Sequence, residues 1–328
     1  MLWLSVQFVM LAAAVVAAGV VLTRCADLIA EATGLGKTLV GVVLLAGATS
    51  LPEMSVGVTA VRMGAYDLTA GDLAGSSLCN LMILAAVDLA TRSRGPVLGR
   101  QAAGHALSAT ASIVLKCIVL IGLLSRQTIS VGGVSLASLV LIFVYFAILR
   151  LVYFDELAAR RDLPPPDEGQ RPRLTPHLLG FAAAAAVILV VAPRLAHVAD
   201  QLAEVSGLGR TFMGTVFVAA VTSLPEVVAS YTAVRIGATA LAVGNVFGSN
   251  AFNMLVLGIL DFAQPGPLFA MVSPTHSVTI VAGILITAVA TLTLLYRAER
   301  RWLLIEPDAV LIATLVVGAM GLVYLQSR

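Results

Sequence analysis

Two glutamates, Glu53 and Glu226, each close a Thr-Ser-Leu-Pro-Glu block set in a long apolar stretch. A carboxylate at membrane depth costs at least about 2.5–3.5 kcal/mol, so it marks a functional site by default. Pairing with a base is the plainer alternative, but Lys116 is the only base placed mid-span and cannot neutralise two glutamates. A bound cation can. Thr49 and Ser50 precede Glu53 by four and three residues, and Thr222 and Ser223 precede Glu226 likewise, so the hydroxyls sit near the carboxylate on a helix surface. Pro52 and Pro225 have no N–H and clash with the carbonyl four residues back, which opens the helix at Ala48 and Val221. Carboxylate, hydroxyl and carbonyl oxygens are the hard ligands that Ca²⁺ and Na⁺ take. Ser76 with Asn80, and Ser249 with Asn253, add further oxygens at a spacing of four, although such residues also serve as interhelical glue. Gly71 with Gly75 and Gly244 with Gly248 form GxxxG pairs, read as close-packing positions rather than ligands.

The elements that carry these residues are membrane helices. The chain has 328 residues, 59% hydrophobic and 12% charged, with a mean hydropathy of +0.99. A soluble domain carries about 25% charged residues, so a soluble enzyme is excluded. A net charge of +2 points to no nucleic-acid partner, and the three cysteines and four histidines lack metal-ligand spacing. A helix needs roughly 20 apolar residues to cross a bilayer. Ten stretches qualify: 3–23, 38–61, 67–90, 103–124, 129–153, 176–198, 211–234, 238–262, 273–296 and 306–326. With both termini outside, fourteen Lys and Arg fall on the inner side and five on the outer (Arg62, Arg126, Arg194, Arg210 and Arg328), as the positive-inside rule requires. The Pro-rich segment 155–175 reads as a cytoplasmic linker between halves 1–154 and 176–328.

The halves are copies. Ala26–Asp88 aligns with Ala199–Asp261 at a constant offset of 173 without a gap, and close to half the positions are identical. GLGKT, ATSLPE, TAVRMGA and GDLAGSSLCN in the first copy match GLGRT, VTSLPE, TAVRIGA and GNVFGSNAFN in the second. Five spans per half is an odd number, so the second half starts on the opposite face of the membrane. The expected fold is an all-α polytopic membrane protein of ten transmembrane helices in two inverted five-helix repeats, the plan of secondary transporters that bind substrate at the midplane.

The paired TSLPE blocks, each followed by the Gly-Ser-x-x-x-Asn pattern, resemble the alpha repeats of the sodium/calcium exchanger branch of the calcium/cation antiporter superfamily. The resemblance spans nearly the whole chain. It implies a diamond of ion sites at Glu53, Asn80, Glu226 and Asn253, completed by Thr49, Ser50, Ser76, Thr222, Ser223 and Ser249. It also implies Na⁺/Ca²⁺ exchange by alternating access, with the first and sixth spans sliding on a rigid core. No cofactor is implied. The partners are inorganic cations and the lipid bilayer, and the small inter-span segments fit a prokaryotic plasma membrane.

Three departures from the family pattern stand out. Both central amide positions are Asn where several members have Asp, so two glutamates give a charge of −2. Asp72 replaces the residue matched by Asn245, close enough to the span's end that a wet helix terminus is its plainer setting. Ser77 stands where the second copy has Asn250. Two central Asn with two Glu would also suit Ca²⁺/H⁺ antiport, the alternative within the same fold. A channel would need no counter-ion, and an intramembrane hydrolase would need a His beside the serine motifs, which no copy supplies.

Overall fold

The computed structural model describes residues 2–90, 105–125, 129–160, 172–205, 221–296 and 307–326. The inter-span segments around Arg92, Arg94, Arg100, Arg126, Arg171, Arg297, Arg300 and Arg301, the middle of the 155–175 linker, Arg328, the GLGRT block and residues 211–220 of the seventh span lie outside the described residues.

Uniform apolarity makes long helices, and the described chain is almost wholly helical. The first is α1 (Leu2–Thr33). The second span is broken into α2 (Lys37–Val40), a π-helical turn (Gly41–Leu45), α3 (Ala46–Thr49) and α4 (Leu51–Arg62). There follow α5 (Tyr66–Ala90), α6 (Ala106–Leu124), α7 (Leu136–Arg160), α8 (Leu174–Val205), α9 (Leu224–Arg235), α10 (Thr239–Leu260), α11 (Leu268–Met271), α12 (His276–Tyr296) and α13 (Pro307–Gln326). Among the described residues, seven single helices are long and apolar enough to cross a membrane. The pair Lys37–Thr49 and Leu51–Arg62, bent by 45°, is an eighth if it is counted as one span, and Ala309–Val323 is a shorter apolar helix.

Three details differ from the sequence expectation. α1 and α8 each run 32 residues, beyond the ends set at 23 and 198. Their last turns carry Asp27 and Glu31, and Asp200 and Glu204, which end the apolar run without ending the helix. The fifth span does not start at 129 as helix. Ser130–Val131 pairs antiparallel with Val134–Ser135 across Gly132-Gly133, both at positive φ (61° and 89°), which a two-residue hairpin turn demands and glycine alone takes freely. Third, the second span breaks at Ser50 and not at Ala48, because proline is tolerated in a helix's first turn and α4 restarts one residue ahead of Pro52.

α1 lies along α8, and the pairing is reciprocal: α1 also packs on α9, and α8 on α4. α10 is the most enclosed helix, with neighbours on every side. One apolar core joins α1, α8, α10, α12 and α13, and a second joins α6, α7, α10 and α11. Buried Asp261, just after α10, staples the second core. Its Oδ2 accepts from the Ser135 N–H (2.7 Å) and the Ser138 hydroxyl (2.6 Å), and its Oδ1 from the Leu268 N–H (2.6 Å) and Gln264 Nε2 (3.3 Å). Removing a carboxylate that satisfies four donors leaves buried orphans at about 1–3 kcal/mol each. Asp261→Ala should therefore lower the thermal unfolding midpoint in detergent sharply, by a loss of about 3–5 kcal/mol, and an unchanged midpoint would show that the hairpin holds without it.

Candidate functional site

Ser50 and Ser223 occupy the N-cap positions of α4 and α9, with nearly identical backbone angles (φ −88°, ψ 9° and φ −81°, ψ 8°). Glu53 and Glu226 fall in the first turn of those half-helices, where the helix dipole eases the cost of a buried negative charge. Both glutamates are buried, at 1% and 0% exposure. Neither cap serine caps its own helix. The Ser50 hydroxyl instead donates to Glu226 Oε1 across the two halves (3.4 Å), while Ser223 Oγ has no partner among the described residues. Glu53 Oε1 accepts from Ser76 of α5 (3.2 Å).

α5 and α10 supply the other two walls. Asp72, Ser76 and Asn80 follow at intervals of four on one stripe of α5, and Asn245, Ser249 and Asn253 repeat it on α10. The stripes meet the broken span. The Thr49 hydroxyl donates to Asn245 Oδ1 (3.3 Å) and lies 3.4 Å from the Ser249 hydroxyl. Asn245 Nδ2 donates to Ser230 of α9 (3.1 Å), and Asn80 Nδ2 donates to Asn250 Oδ1 (3.0 Å). Thr222 is buried beside Ser223.

What remains is oxygen without a hydrogen. Glu53 Oε2, Glu226 Oε2, Asn80 Oδ1 and Asn253 Oδ1 are all buried and accept no hydrogen bond among the described residues. Buried polar groups left in that state are rare and costly. Carboxylate and amide oxygens are the hard ligands that a cation takes, though among the described residues no hydrogen bond ties Asn253 to the other three. Among the described residues no three His, Cys, Asp or Glu side chains converge. The described contacts thus set two buried carboxylates among neutral hydroxyl and amide oxygens.

The ten residues singled out from sequence all lie buried on these four segments. Asp72 is half-buried, one turn before Ser76 on the same stripe of α5. Asn245, Asn250 and Ser230 were not singled out as site residues. The repeat offset could have raised Asn245, since it is Asp72's counterpart one turn before Ser249.

The chain resembles known proteins along its length. The family model described as "Sodium/calcium exchanger protein" matches residues 3–154 and 176–325. The inner membrane protein YrbG of Escherichia coli is 27% identical over 278 residues, 80% of this chain and 81% of that one. The sodium/calcium exchanger MaX1 of Methanosarcina acetivorans is 40% identical over 81 residues, 24% of this chain and 23% of that one. In fold, the chain matches the crystal structure of the sodium-calcium exchanger NCX_Mj soaked with Na⁺ and Sr²⁺, with a TM-score of 0.74 at 20% identity over 98% of this chain and 99% of that one.

Proposed function

The chain belongs to the sodium/calcium exchanger protein family, whose members are secondary transporters and not enzymes, and from that premise we propose that it exchanges Na⁺ for Ca²⁺ across the membrane by alternating access. The observation that carries the reading is the set of buried oxygens on Glu53, Glu226, Asn80 and Asn253 that have no partner among the described residues. Thr49, Ser50, Ser76, Thr222, Ser223 and Ser249 complete the ligand set, and Asp72 adds a peripheral charge. Two glutamates match one Ca²⁺ in charge, and Na⁺ competes for the same oxygens.

The proposed architecture is ten spans in two inverted halves, 1–154 and 176–328, joined by the cytoplasmic linker 155–175, with both termini outside a prokaryotic plasma membrane. The constant repeat offset, the family match on either side of the linker and the basic-residue bias support it. The inner-membrane name of YrbG is consistent with the location. In this reading α1 and α8 slide as one unit over the half-helices α4 and α9, which they contact reciprocally.

Proton coupling is the alternative, favoured by the two central asparagines. The test is radioactive calcium uptake into proteoliposomes under sodium and proton gradients imposed separately. An outward sodium gradient should drive uptake at neutral, symmetric pH. Uptake that follows only the pH gradient would move the coupling to H⁺, and uptake with neither would sink the calcium assignment.

A further inference from the structure

Lys116 lies outside the cation cluster and has no counterpart in the second repeat, where Val289 stands. It is buried at mid-helix in α6, 1% exposed, and its Nζ donates to Thr287 Oγ1 of α12 (3.2 Å). That leaves two ammonium N–H groups, and among the described residues no carboxylate forms an ion pair with it. Gly283, one turn from Thr287, leaves the notch in which the lysine's end lies: a Cβ there would sit 3.7 Å from Nζ.

Lys116 does not stand alone on its helix. His105, Ser108, Ser112 and Lys116 follow at intervals of three, four and four, which puts them on one stripe of α6. All four are at most 3% exposed, and His105 Nδ1, Ser108 Oγ and Ser112 Oγ have no hydrogen-bond partner among the described residues. On the facing helix, Thr287 and Thr291 continue the polar line but spend their hydroxyls on their own helix, on the carbonyls of Gly283 (2.6 Å) and Thr287 (2.7 Å). Along this polar line, the atoms unpartnered among the described residues therefore lie between His105 and Lys116. Three unpartnered buried polar atoms at one-turn spacing are what a file of bound water requires.

We propose that this stripe is a one-sided hydrated path and that Lys116 is a proton-binding site at its inner end, distinct from the cation cluster. The Lys116 ammonium passes a proton to the adjacent water, which relays it to the His105 end, and the amine regains one by the reverse route. The elements packed on α6 bring few competing groups. α10 and α11 carry no ionisable residue, α12 carries only His276 and Tyr296 at its ends, and α7 presents Tyr145, which lines a small cavity with Ser108, and carries Arg150, Tyr153, Asp155 and Glu156 further along, with Arg150 and Tyr153 exposed. A proton bound here changes the charge between a helix of one half and a helix of the other, so it biases how the halves pack.

The chain has two lysines, Lys37 and Lys116. Reductive methylation with ¹³C-formaldehyde therefore gives one lysine signal from each in NMR of the detergent-solubilised protein, and the methylated amine keeps its charge. Lys116 should be methylated in the folded protein, and its signal should move with pH. Thr287→Val should displace that midpoint by about one pH unit, the worth of a hydrogen bond to a charged group, and leave Lys37 unchanged. Failure of Lys116 to react while Lys37 does, a pH-invariant Lys116 signal, or an unmoved midpoint in Thr287→Val would each overturn the proposal. None of these readouts needs transport. Glu226→Gln should stop calcium uptake without moving the Lys116 titration, so failure here and failure of the exchange reading are separable. In proteoliposomes, Lys116→Arg and Lys116→Met should fix the exchange rate at two levels, at least about threefold apart, between which the wild type moves as pH changes. Identical pH profiles in all three would also overturn it.

Discussion

Glu226→Gln abolishes gradient-driven calcium uptake and leaves the protein folded: that is the expected result, and Glu53→Gln should match it. Glutamine keeps the volume of the side chain and an oxygen to accept from Ser50 (3.4 Å in the wild type), so packing is preserved. What it removes is half of the charge from a site 0–1% exposed, where water cannot make up the difference. Truncating one partner of a buried charge pair costs about 2–5 kcal/mol, which is roughly a 30-fold to several-thousandfold loss of calcium affinity. Uptake of radioactive calcium and calorimetric calcium binding measure the two consequences, and a thermal unfolding midpoint within a few degrees of wild type confirms the fold. The two mutants should differ in one respect. Glu226 is held by a serine of the other half, Glu53 by Ser76 of its own. Glu226→Gln should therefore also weaken the coupling between halves. Wild-type uptake in either mutant would remove that glutamate from the site.

The sequence made some of this visible and not the rest, and the division has a physical cause. Apolar runs and the 173-residue offset are one-dimensional signals, so the helical spans, the duplication and the paired glutamates could be read directly. Helical periodicity also placed Ser76 with Asn80 on one face. It could not say which faces meet. Ser50 donating to Glu226, Thr49 to Asn245 and Asn80 to Asn250 are all contacts between halves, at sequence separations of 170 to 196 residues. No spacing rule reaches that far. The π-helical turn at Gly41–Leu45 and the break at Ser50 were hidden for another reason. The π-helical turn lies where α10 approaches the second span backbone to backbone, and proline marks the neighbourhood of a break without fixing its residue. Asp72 could not be placed from depth counted along its helix alone, since exposure depends on the neighbouring helices.

The second large effect is expected at Gly248, where packing and site meet. A Cβ there would lie 2.6 Å from the Cα of Val42, 2.7 Å from its carbonyl oxygen and 2.9 Å from Ala46 Cβ. Two of those three atoms are backbone, in or beside the π-helical turn, so no rotamer change can relieve the contact. Gly41 and Gly244 make the same close approach from either side, with a Cβ meeting the Leu241 carbonyl at 2.7 Å and the Thr38 carbonyl at 2.9 Å. Three glycines thus let α10 lie backbone to backbone on the broken second span, the arrangement that GxxxG spacing makes possible. That contact sets the depth at which Ser249 reaches Thr49, one residue further along α10. Gly248→Val must push the two segments apart, and overpacking of this kind costs about 1–3 kcal/mol or more. A misplacement of about 1 Å among ligands is enough to lose a site's function. The expected outcome is loss of calcium uptake by at least about tenfold together with a lower thermal unfolding midpoint, both absent in Gly318→Val, where no described residue would lie within 4 Å of the new Cβ. A Gly248→Val protein that transports like wild type would mean that α10 and the broken span move apart in the working cycle, and that the rigid core lies elsewhere.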